Sequence, residues 1–146
     1  MQLILVVEDE YGAAEVMELM LEAHGYRVAS APNGKAALEL LSGEKPAVIV
    51  SDFMMPHMNG AELGVAIRSN AALRDIPFIF LSGTSEEVVQ KSFADFDCFL
   101  SKPADIGSLL AAIGNLLGGR KQHVDAHEVN KSMRQLLKGI EIPPAD

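Results

Sequence analysis

Residues 48–60 read VIVSDFMMPHMNG, and this stretch decides the fold. An apolar run of strand length ends on Ser51-Asp52, and a loop containing proline, asparagine and glycine follows it. A carboxylate at the end of a buried strand is costly unless its charge is used there. We therefore expect a buried strand that ends at a functional site centred on Asp52.

Four further apolar segments of strand length occur along the chain. The first, Leu3-Ile4-Leu5-Val6-Val7, is apolar throughout, which is typical of a parallel strand covered on both faces. Helix-like segments separate the strands, so the pattern predicts an α/β fold with a five-stranded parallel sheet, helices on both faces and right-handed crossovers. The predicted strands cover residues 3–7, 26–30, 47–51, 78–81 and 98–100.

The predicted helices are marked by their ends and by their apolar spacing. Gly25 is expected to end the first helix, and Asn33 to cap the second. Later helices are predicted over 34–41, 61–68 and 106–117, with a short one opening at Ser85. In the first helix the apolar residues at helical spacing are Ala13, Val16, Met17, Met20 and Leu21.

Composition restricts the class of protein. The 146 residues, 49% hydrophobic and 22% charged, suit one globular domain. The net charge of −8 argues against nucleic-acid binding, and no apolar run reaches the roughly 20 residues of a membrane span. The absence of a basic leader and the single cysteine, Cys98, favour a reducing cytoplasm, with Cys98 buried and inert.

Residues 120–146 differ in character from the rest of the chain. They begin basic and polar, and they carry one apolar stripe, too small for a core of its own. We therefore predict a domain over residues 1–119 and a C-terminal extension over 120–146 that is one amphipathic helix or a linker. Packing against the domain, dimer formation and a linker role stay open. The stripe consists of Val129, Met133, Leu136, Leu137 and Ile140.

Polar residues stand at the ends of four of the predicted strands. Glu8-Asp9 follows the first strand, Asp52 the third, Ser82 the fourth and Ser101-Lys102-Pro103 the fifth. In open parallel sheets, ligands bind beyond the carboxyl ends of the strands, where the strand order reverses. Acids, a hydroxyl and an amine are therefore expected to meet at one edge of the sheet.

These segments resemble the receiver domain of two-component response regulators. The resemblance rests on VVEDE after the first strand, DFMMPHMNG after the third, FLSG after the fourth and CFLSKP at the fifth, and it covers about residues 1–118. It implies a flavodoxin-like, doubly wound sheet with strand order 2-1-3-4-5. It also implies that Asp52 accepts a phosphoryl group from the phosphohistidine of a sensor histidine kinase or a histidine phosphotransfer protein.

The resemblance also implies a divalent metal, Mg²⁺ or Mn²⁺, beside Asp52. A carboxylate attacks phosphorus only when the charge on the phosphoryl oxygens is neutralised, and Mg²⁺ prefers oxygen ligands. The implied ligands are Asp9, Asp52 and the backbone carbonyl of Met54, with Glu8 acting through water.

The remaining implied roles surround the phosphoryl group. Lys102 pairs with Asp52 before transfer and with the phosphoryl group afterwards. Ser82 and the amide of Gly83 donate to phosphoryl oxygens, and Pro103 fixes the loop that aims the lysine.

In this family the conformational response to phosphorylation depends on a residue with a hydroxyl group and on an aromatic residue. The resemblance implies that Ser82 moves toward the phosphoryl group and that Phe99 swings inward, so that the face formed by the fourth helix, fifth strand and fifth helix changes shape for a downstream protein effector. Two positions depart from the family pattern near that face: Ala104 follows Lys-Pro where an aromatic or leucine is frequent, and residues 93–97 lack the usual Gly-Ala step.

Simpler structural explanations exist for the same residues. Acidic residues such as Glu8 and Asp9 are also typical of the first turn of a helix. Asp52 also fits an acidic residue that forms a turn, and Lys102 also fits a solvated surface lysine. Ser82 also suits a helix entry, and Phe99 suits a fixed core position. The methionines Met54, Met55 and Met58 are expected to pack adaptably, and His24, His57, His123 and His127 to be structural or solvent-facing.

Other functions on the same fold remain open. A phosphorylation-independent docking module needs none of the acids, hydroxyl and lysine at the strand ends. A phosphatase using an aspartyl-phosphate needs a second acid two residues after its nucleophile, where this chain has Met54. A flavin carrier needs a phosphate loop after the first strand, where Glu8-Asp9-Glu10 would repel phosphate. We therefore expect a phosphoacceptor without turnover of an external substrate, with a homodimer as an open possibility.

Overall fold

The computed structural model describes residues 1–118. Strands and helices alternate through this range as predicted, and the bounds differ from the predicted ones by about one residue at β2, β3, α3, β4 and β5. The predicted extension over 120–146 lies outside the described residues. The elements are β1 (Leu3–Val7), α1 (Tyr11–Ala23), β2 (Arg27–Ala31), α2 (Gly34–Leu41), β3 (Val48–Ser51), α3 (Gly60–Arg68), β4 (Phe78–Ser82), α4 (Glu86–Ser92), β5 (Cys98–Ser101) and α5 (Ile106–Leu117).

The five strands form one parallel sheet in the order β2-β1-β3-β4-β5. The predicted doubly wound topology is therefore confirmed. The chain leaves β1 toward β2 on one side and returns to β3 on the other, so the strand order reverses between β1 and β3. This reversal places the crevice of an open α/β sheet beside the ends of those two strands.

Helices cover both faces of the sheet and create two cores. One core, beneath α2, α3 and α4, is rich in phenylalanine, and the other lies beneath α1 and α5. The central strands β3 and β4 are buried along their whole length, as their continuous apolar sequences predict. The phenylalanines of the first core are Phe53, Phe78, Phe80, Phe93, Phe96 and Phe99.

Side-chain caps fix where the helices begin. Glu10 caps α1 by accepting a hydrogen bond of 2.6 Å from the amide of Ala13, and Asn33 caps α2 as predicted. Asn59 caps α3 in a capping box with Glu62. Because Glu10 caps α1, the helix needs neither Glu8 nor Asp9 for that purpose.

The loop between β3 and α3 is shaped by close packing. A β-carbon on Gly60 would lie 2.3 Å from the backbone oxygen of Asp52 and 2.7 Å from the ring of Phe80. Only glycine fits there without displacing the backbone at the end of β3. His57 adopts a positive φ of 69° in the same loop. The apolar strand and the Asn-Gly pair of the opening stretch therefore bring α3 directly against Asp52.

An ion pair closes the opposite edge of the sheet, at the amino ends of β4 and β5. The Arg68 guanidinium contacts Asp97 at 3.0 Å and also donates to the carbonyl of Ile76 at 2.7 Å. The carboxylate of Asp97 accepts a further hydrogen bond of 2.8 Å from the amide of Phe78. The side chains of Arg68 and Asp97 are only 11% and 8% exposed, so the segment before β5 is anchored by a buried charge pair.

Cys98 is fully buried at the start of β5. Burial, together with the negative charges of Glu86 and Asp97, raises the pKa of its thiol to about 12. The thiol is therefore protonated at neutral pH, and the prediction that Cys98 is buried is confirmed, while its lack of reactivity stays a prediction. Within residues 1–118, none of the helices has the length and apolarity needed to cross a bilayer.

Candidate active site

Backbone hydrogen bonds bring the polar strand ends together. The amide of Asp52 donates to the carbonyl of Val7 at 2.9 Å, which places Asp52 beside the start of the Glu8-Asp9 pair. The amide of Lys102 donates to the carbonyl of Ser82 at 2.9 Å, which places the lysine beside the end of β4. Residues distant in sequence thus meet at the carboxyl edge of the sheet.

Three carboxylates form a cluster at this edge. Glu8, Asp9 and Asp52 each offer one carboxylate oxygen, and the three atoms lie within 4.8 Å of one another. Glu8 is buried, at 5% exposed, whereas Asp9 is exposed and the side chain of Asp52 is 12% exposed. Oxygen donors at this spacing, with one side open to solvent, fit a hard divalent cation such as Mg²⁺.

Lys102 links two of these carboxylates. Its Nζ donates to Glu8 Oε1 at 2.8 Å and to Asp52 Oδ2 at 3.0 Å. Burial alone would lower the pKa of the lysine, but the hydrogen bonds and negative charges of Glu8 and Asp52 outweigh it and raise the pKa. The amine therefore carries a positive charge between the two acids at neutral pH, so Lys102 is not a freely solvated surface lysine.

The side chain of Asp52 is held in a defined orientation. Its Oδ1 accepts a hydrogen bond of 2.6 Å from the amide of Phe53, and its Oδ2 faces the amine of Lys102. The hydroxyl of neighbouring Ser51 is turned to the backbone oxygen of Asp52. The only carboxylate at the end of β3 is thus oriented toward the cluster and remains reachable from solvent.

The hydroxyl and the aromatic residue predicted for the switch both lie in the interior. Ser82 ends β4 at 1% exposure, and its Oγ accepts a hydrogen bond of 3.1 Å from the amide of Thr84. Phe99 is 3% exposed, and its ring is tilted against Phe80 and Phe96 at centroid distances of 6.5 and 6.1 Å. The ring therefore packs inward in this structure.

The remaining predicted site residues lie in the loops around the cluster. Gly83 is exposed after Ser82, and a β-carbon there would contact nothing within 4 Å. Pro103 follows Lys102 through a cis peptide bond. Met54 lies in the loop after β3 with its side chain 64% exposed, so that side chain is not part of the core, and the ligand role of its carbonyl stays a prediction.

An exposed apolar surface on α1 was missed by the sequence prediction. Val16 and Met20 belong to the apolar residues noted at helical spacing in the first helix, but they are 53% and 43% exposed, and Ala14 and Leu21 are the buried residues of α1. Tyr11 and Leu19 add to the surface at 79% and 62% exposed. The available signal was the number of apolar residues in α1, which exceeds what one core-facing stripe requires.

A groove of about 430 Å³ runs between α1 and the start of α5, next to the acidic cluster. We call it the α1–α5 groove. It is lined by Glu10, Gly12, Ala13, Val16, Met17 and Met20 on one side, and by Leu81, Ala104, Asp105, Ile106 and Leu109 on the other.

Known proteins of one family share both the sequence and the fold. Residues 4–114 match the family described as response regulator receiver domain. The response regulator Rre1 of Synechocystis sp. is 31% identical over 140 residues, which are 94% of this chain. The chain spans 61% of the length of Rre1.

Two solved structures illustrate the similarity in fold. The signal receiver domain of a signal transduction histidine kinase from Syntrophus aciditrophicus is 35% identical, with a TM-score of 0.77 over 84% of this chain and 94% of that one. The receiver domain of the sensor histidine kinase PA1611 from Pseudomonas aeruginosa PAO1 is 26% identical, with a TM-score of 0.74 over 81% of this chain and 98% of that one. That structure holds a magnesium ion in its active-site cleft. By sequence, topology and strand-end residues, the chain belongs to the response regulator receiver domain family of two-component systems.

Proposed function

We propose that Asp52 accepts a phosphoryl group from the phosphohistidine of a sensor histidine kinase or a histidine phosphotransfer protein. The observation that carries the proposal is the oriented, solvent-reachable carboxylate of Asp52, which lies within 4.8 Å of two other acids and 3.0 Å from the amine of Lys102. A structural turn aspartate needs no such surroundings. Membership of the receiver family supports the same reaction class.

The chemistry follows from the groups around Asp52. A carboxylate oxygen of Asp52 attacks the phosphorus, the O–P bond forms, and the N–P bond to the donor imidazole breaks as the imidazole takes up a proton. Bound Mg²⁺ or Mn²⁺ would neutralise charge on the transferring phosphoryl oxygens, and Glu8, Asp9 and Asp52 fit it as oxygen donors. The magnesium ion in the PA1611 receiver domain supports this choice of cation.

Lys102 compensates charge before and after the transfer. Its amine lies between Glu8 and Asp52 in this structure, so it orients the nucleophile and offsets part of the repulsion between these two carboxylates. When Asp52 becomes an acyl phosphate, the amine is close enough to follow the new negative charge. Ser82 and the amide of Gly83 supply hydrogen-bond donors on the same side of the sheet.

The phosphodonor would dock on α1. The exposed apolar residues of that helix, Tyr11, Val16, Leu19 and Met20, lie along α1, which begins at the carboxyl edge that holds Asp52. A protein that delivers its phosphohistidine to Asp52 must cover this edge, and exposed apolar side chains are the surface that such a partner can bury.

The output would use the face formed by α4, β5 and α5. Ser82 and Phe99 connect the site to this face, since Ser82 ends β4 and Phe99 lies in the neighbouring strand. A new dianion at Asp52 supplies the differential contact that shifts the hydroxyl and the ring. The proposed partner at this face is a downstream protein effector in the cytoplasm, and the chain turns over no external substrate.

Phosphorylation by a small donor tests the proposal. With acetyl phosphate and Mg²⁺, the protein should form an acid-stable, base-labile adduct, and Asp52→Asn should form none. Asp105→Asn is a matched control, because Asp105 is an exposed helix cap outside the cluster and asparagine can cap as well. A wild-type protein that forms no adduct, or an adduct that persists in Asp52→Asn, would leave a phosphorylation-independent docking module as the function.

A second experiment separates acceptance from switching. Beryllofluoride with Mg²⁺ mimics the phosphoryl group, and hydrogen exchange in α4 and β5 should change when it binds the wild-type protein. In Lys102→Ala we expect acceptance of a phosphoryl group to remain possible and the exchange change to be lost. An unchanged response in Lys102→Ala would remove the lysine from the switch. Sedimentation of the phosphorylated protein tests for a homodimer.

A further inference from the structure

We propose that residues 129–140 of this chain dock in the α1–α5 groove. The groove belongs to a face that other described elements leave uncovered, since Val16 and Met20 on its α1 side are 53% and 43% exposed. The α5 helix that forms its other side leads directly into the residues that follow position 118. The candidate occupant is therefore already tethered next to the groove.

The groove has the chemistry of a helix-binding site. Apart from Glu10 and Asp105 at one end, its described lining is apolar or glycine, with methionine and valine side chains on α1 and isoleucine and leucine on α5. Methionine side chains adapt to an irregular partner surface. An amphipathic helix that lays its apolar face in such a groove buries residues at i, i+3, i+4 and i+7 spacing.

Residues 129–140 read VNKSMRQLLKGI and show this spacing. Val129, Met133, Leu136, Leu137 and Ile140 follow one another at i, i+4, i+7, i+8 and i+11, which predicts a single apolar stripe on a helix. Twelve residues of helix are about 18 Å long, close to the roughly 20 Å of the 13-residue α1. The stripe therefore matches the helix against which it would lie.

The charges of the two surfaces are of opposite sign. The segment 129–140 contains Lys131, Arg134 and Lys138 and no acid. The helix α1 contains three glutamates and no basic residue, α5 contains no charged residue, and both charged groups that line the groove are acids. This complementarity favours the approach of the segment to α1 without assigning individual ion pairs.

The connection is long enough for this placement. In a parallel sheet the helix after each strand returns toward the amino edge, so α5 ends at the edge opposite the acidic cluster. Residues 119–128 can span up to about 33 Å, more than the roughly 20 Å of the 13-residue α1 that forms one side of the groove. The segment 129–140 can then run back toward the carboxyl edge, antiparallel to α1 and α5.

Docking would cover the surface that a phosphodonor is proposed to use. This regulatory consequence rests on the proposed function, whereas the docking itself does not. With the segment in place, Val16 and Met20 would be buried by the chain's own residues, and a partner would have to displace them. The extension would then limit phosphorylation by a protein donor and leave phosphorylation by acetyl phosphate unaffected.

Cross-linking in the full-length chain tests the docking. The variant carries Val16→Cys on α1 and Ser132→Cys at the edge of the stripe, and a short bismaleimide joins cysteines that lie close together. Native Cys98 gives no background, because it is fully buried and protonated at neutral pH. The matched control combines Ser132→Cys with Leu40→Cys, since Leu40 is 43% exposed but lines a separate apolar cavity beside β2.

We expect an intramolecular cross-link between positions 16 and 132 and little between positions 40 and 132. Adding Leu136→Asp should lower the yield about tenfold, because it places a charge in the centre of the stripe. Equal yields at positions 16 and 40, no yield at position 16, or a cross-linked dimer as the only product would overturn the proposal. The assay needs no phosphorylation, so its failure is distinct from a failure of the proposed function.

Discussion

The buried ion pair at the amino edge of the sheet makes a quantitative prediction for Arg68→Met. The Arg68 guanidinium donates to the carbonyls of Asp95, Arg74 and Ile76 at 3.0, 3.0 and 2.7 Å, and to the carboxylate of Asp97 at 3.0 Å. Methionine keeps most of the side-chain volume and removes all four bonds. The substitution therefore isolates the charge and its hydrogen bonds from the packing.

The expected loss in the free energy of unfolding follows from the environment of Asp97 after Arg68 is replaced. In Arg68→Met the carboxylate of Asp97 loses its 3.0 Å contact with the guanidinium, although it keeps the hydrogen bond from the amide of Phe78 and stays only 8% exposed. Removing one partner of a buried pair costs about 3–5 kcal/mol, against a typical total stability of about 5–15 kcal/mol. At about 1–3 kcal/mol per molar urea, the midpoint of urea unfolding should fall by roughly 1–5 M.

A matched arginine on the surface provides the control. Arg27 forms an ion pair with Glu44, but these side chains are 46% and 55% exposed, so Arg27→Met should cost less than about 1 kcal/mol. The double variant Arg68→Met with Asp97→Asn should recover part of the loss, since it also removes the buried negative charge that Arg68 would otherwise balance. If Arg68→Met costs no more than Arg27→Met, or the double variant recovers nothing, the buried pair does not anchor this edge.

Three further predictions concern single residues. Gly60→Ala should lower the free energy of unfolding by about 1–3 kcal/mol in thermal or urea unfolding, because its β-carbon would lie 2.3 Å from the backbone oxygen of Asp52. It should also reduce the proposed acceptance of a phosphoryl group at Asp52. Gly114→Ala is the control and should not lose stability, since a β-carbon there meets nothing within 4 Å. His57→Val should cost about 1–2 kcal/mol in the same assays, since φ at this residue is 69° and β-branched side chains disfavour that region, whereas His57→Gly should be tolerated. For Cys98 the folded-state pKa of about 12 exceeds the ordinary 9.0, so its contribution is complete below pH 9 and is lost as pH rises toward 12. The free energy of unfolding, measured by urea titration from pH 8 to 10, should therefore fall by up to about 1.4 kcal/mol per pH unit above pH 9. This component of the slope should be absent in Cys98→Ala. A wild-type slope equal to that of Cys98→Ala, or a His57→Val protein as stable as wild type, would contradict these two assignments.

The fold and the position of the site were accessible from the sequence for local reasons. A continuous apolar run indicates a strand covered on both faces. Asn33 and Ser85 are the N-caps of α2 and α4, and Gly25 lies two residues after the end of α1. The parallel topology then brings Glu8, Asp52 and the other strand ends to one edge without further information. Hydrophobic periodicity and helix-capping residues are therefore enough to predict most of the architecture.

Other features depend on contacts that periodicity does not encode. The pair of Arg68 and Asp97 joins residues 29 apart in sequence, and neither residue stands in a recognisable pattern. The exposure of Val16 and Met20 depends on which neighbour covers α1, so an apolar spacing alone assigns them to the core incorrectly. The capping role of Glu10 likewise becomes visible only when the geometry separates it from its two acidic neighbours.

The tie between Glu8 and Lys102 has a consequence for the newly synthesised chain. The amine that balances Glu8 lies 94 residues later, just after the last strand of the sheet. A ribosome that has released only the first four strands exposes an acidic edge without its counter-charge, and the neighbouring strand that positions Ser101 and Lys102 is missing. The proposed acceptance of a phosphoryl group would therefore become possible late in biosynthesis, only when β5 has been added to the sheet.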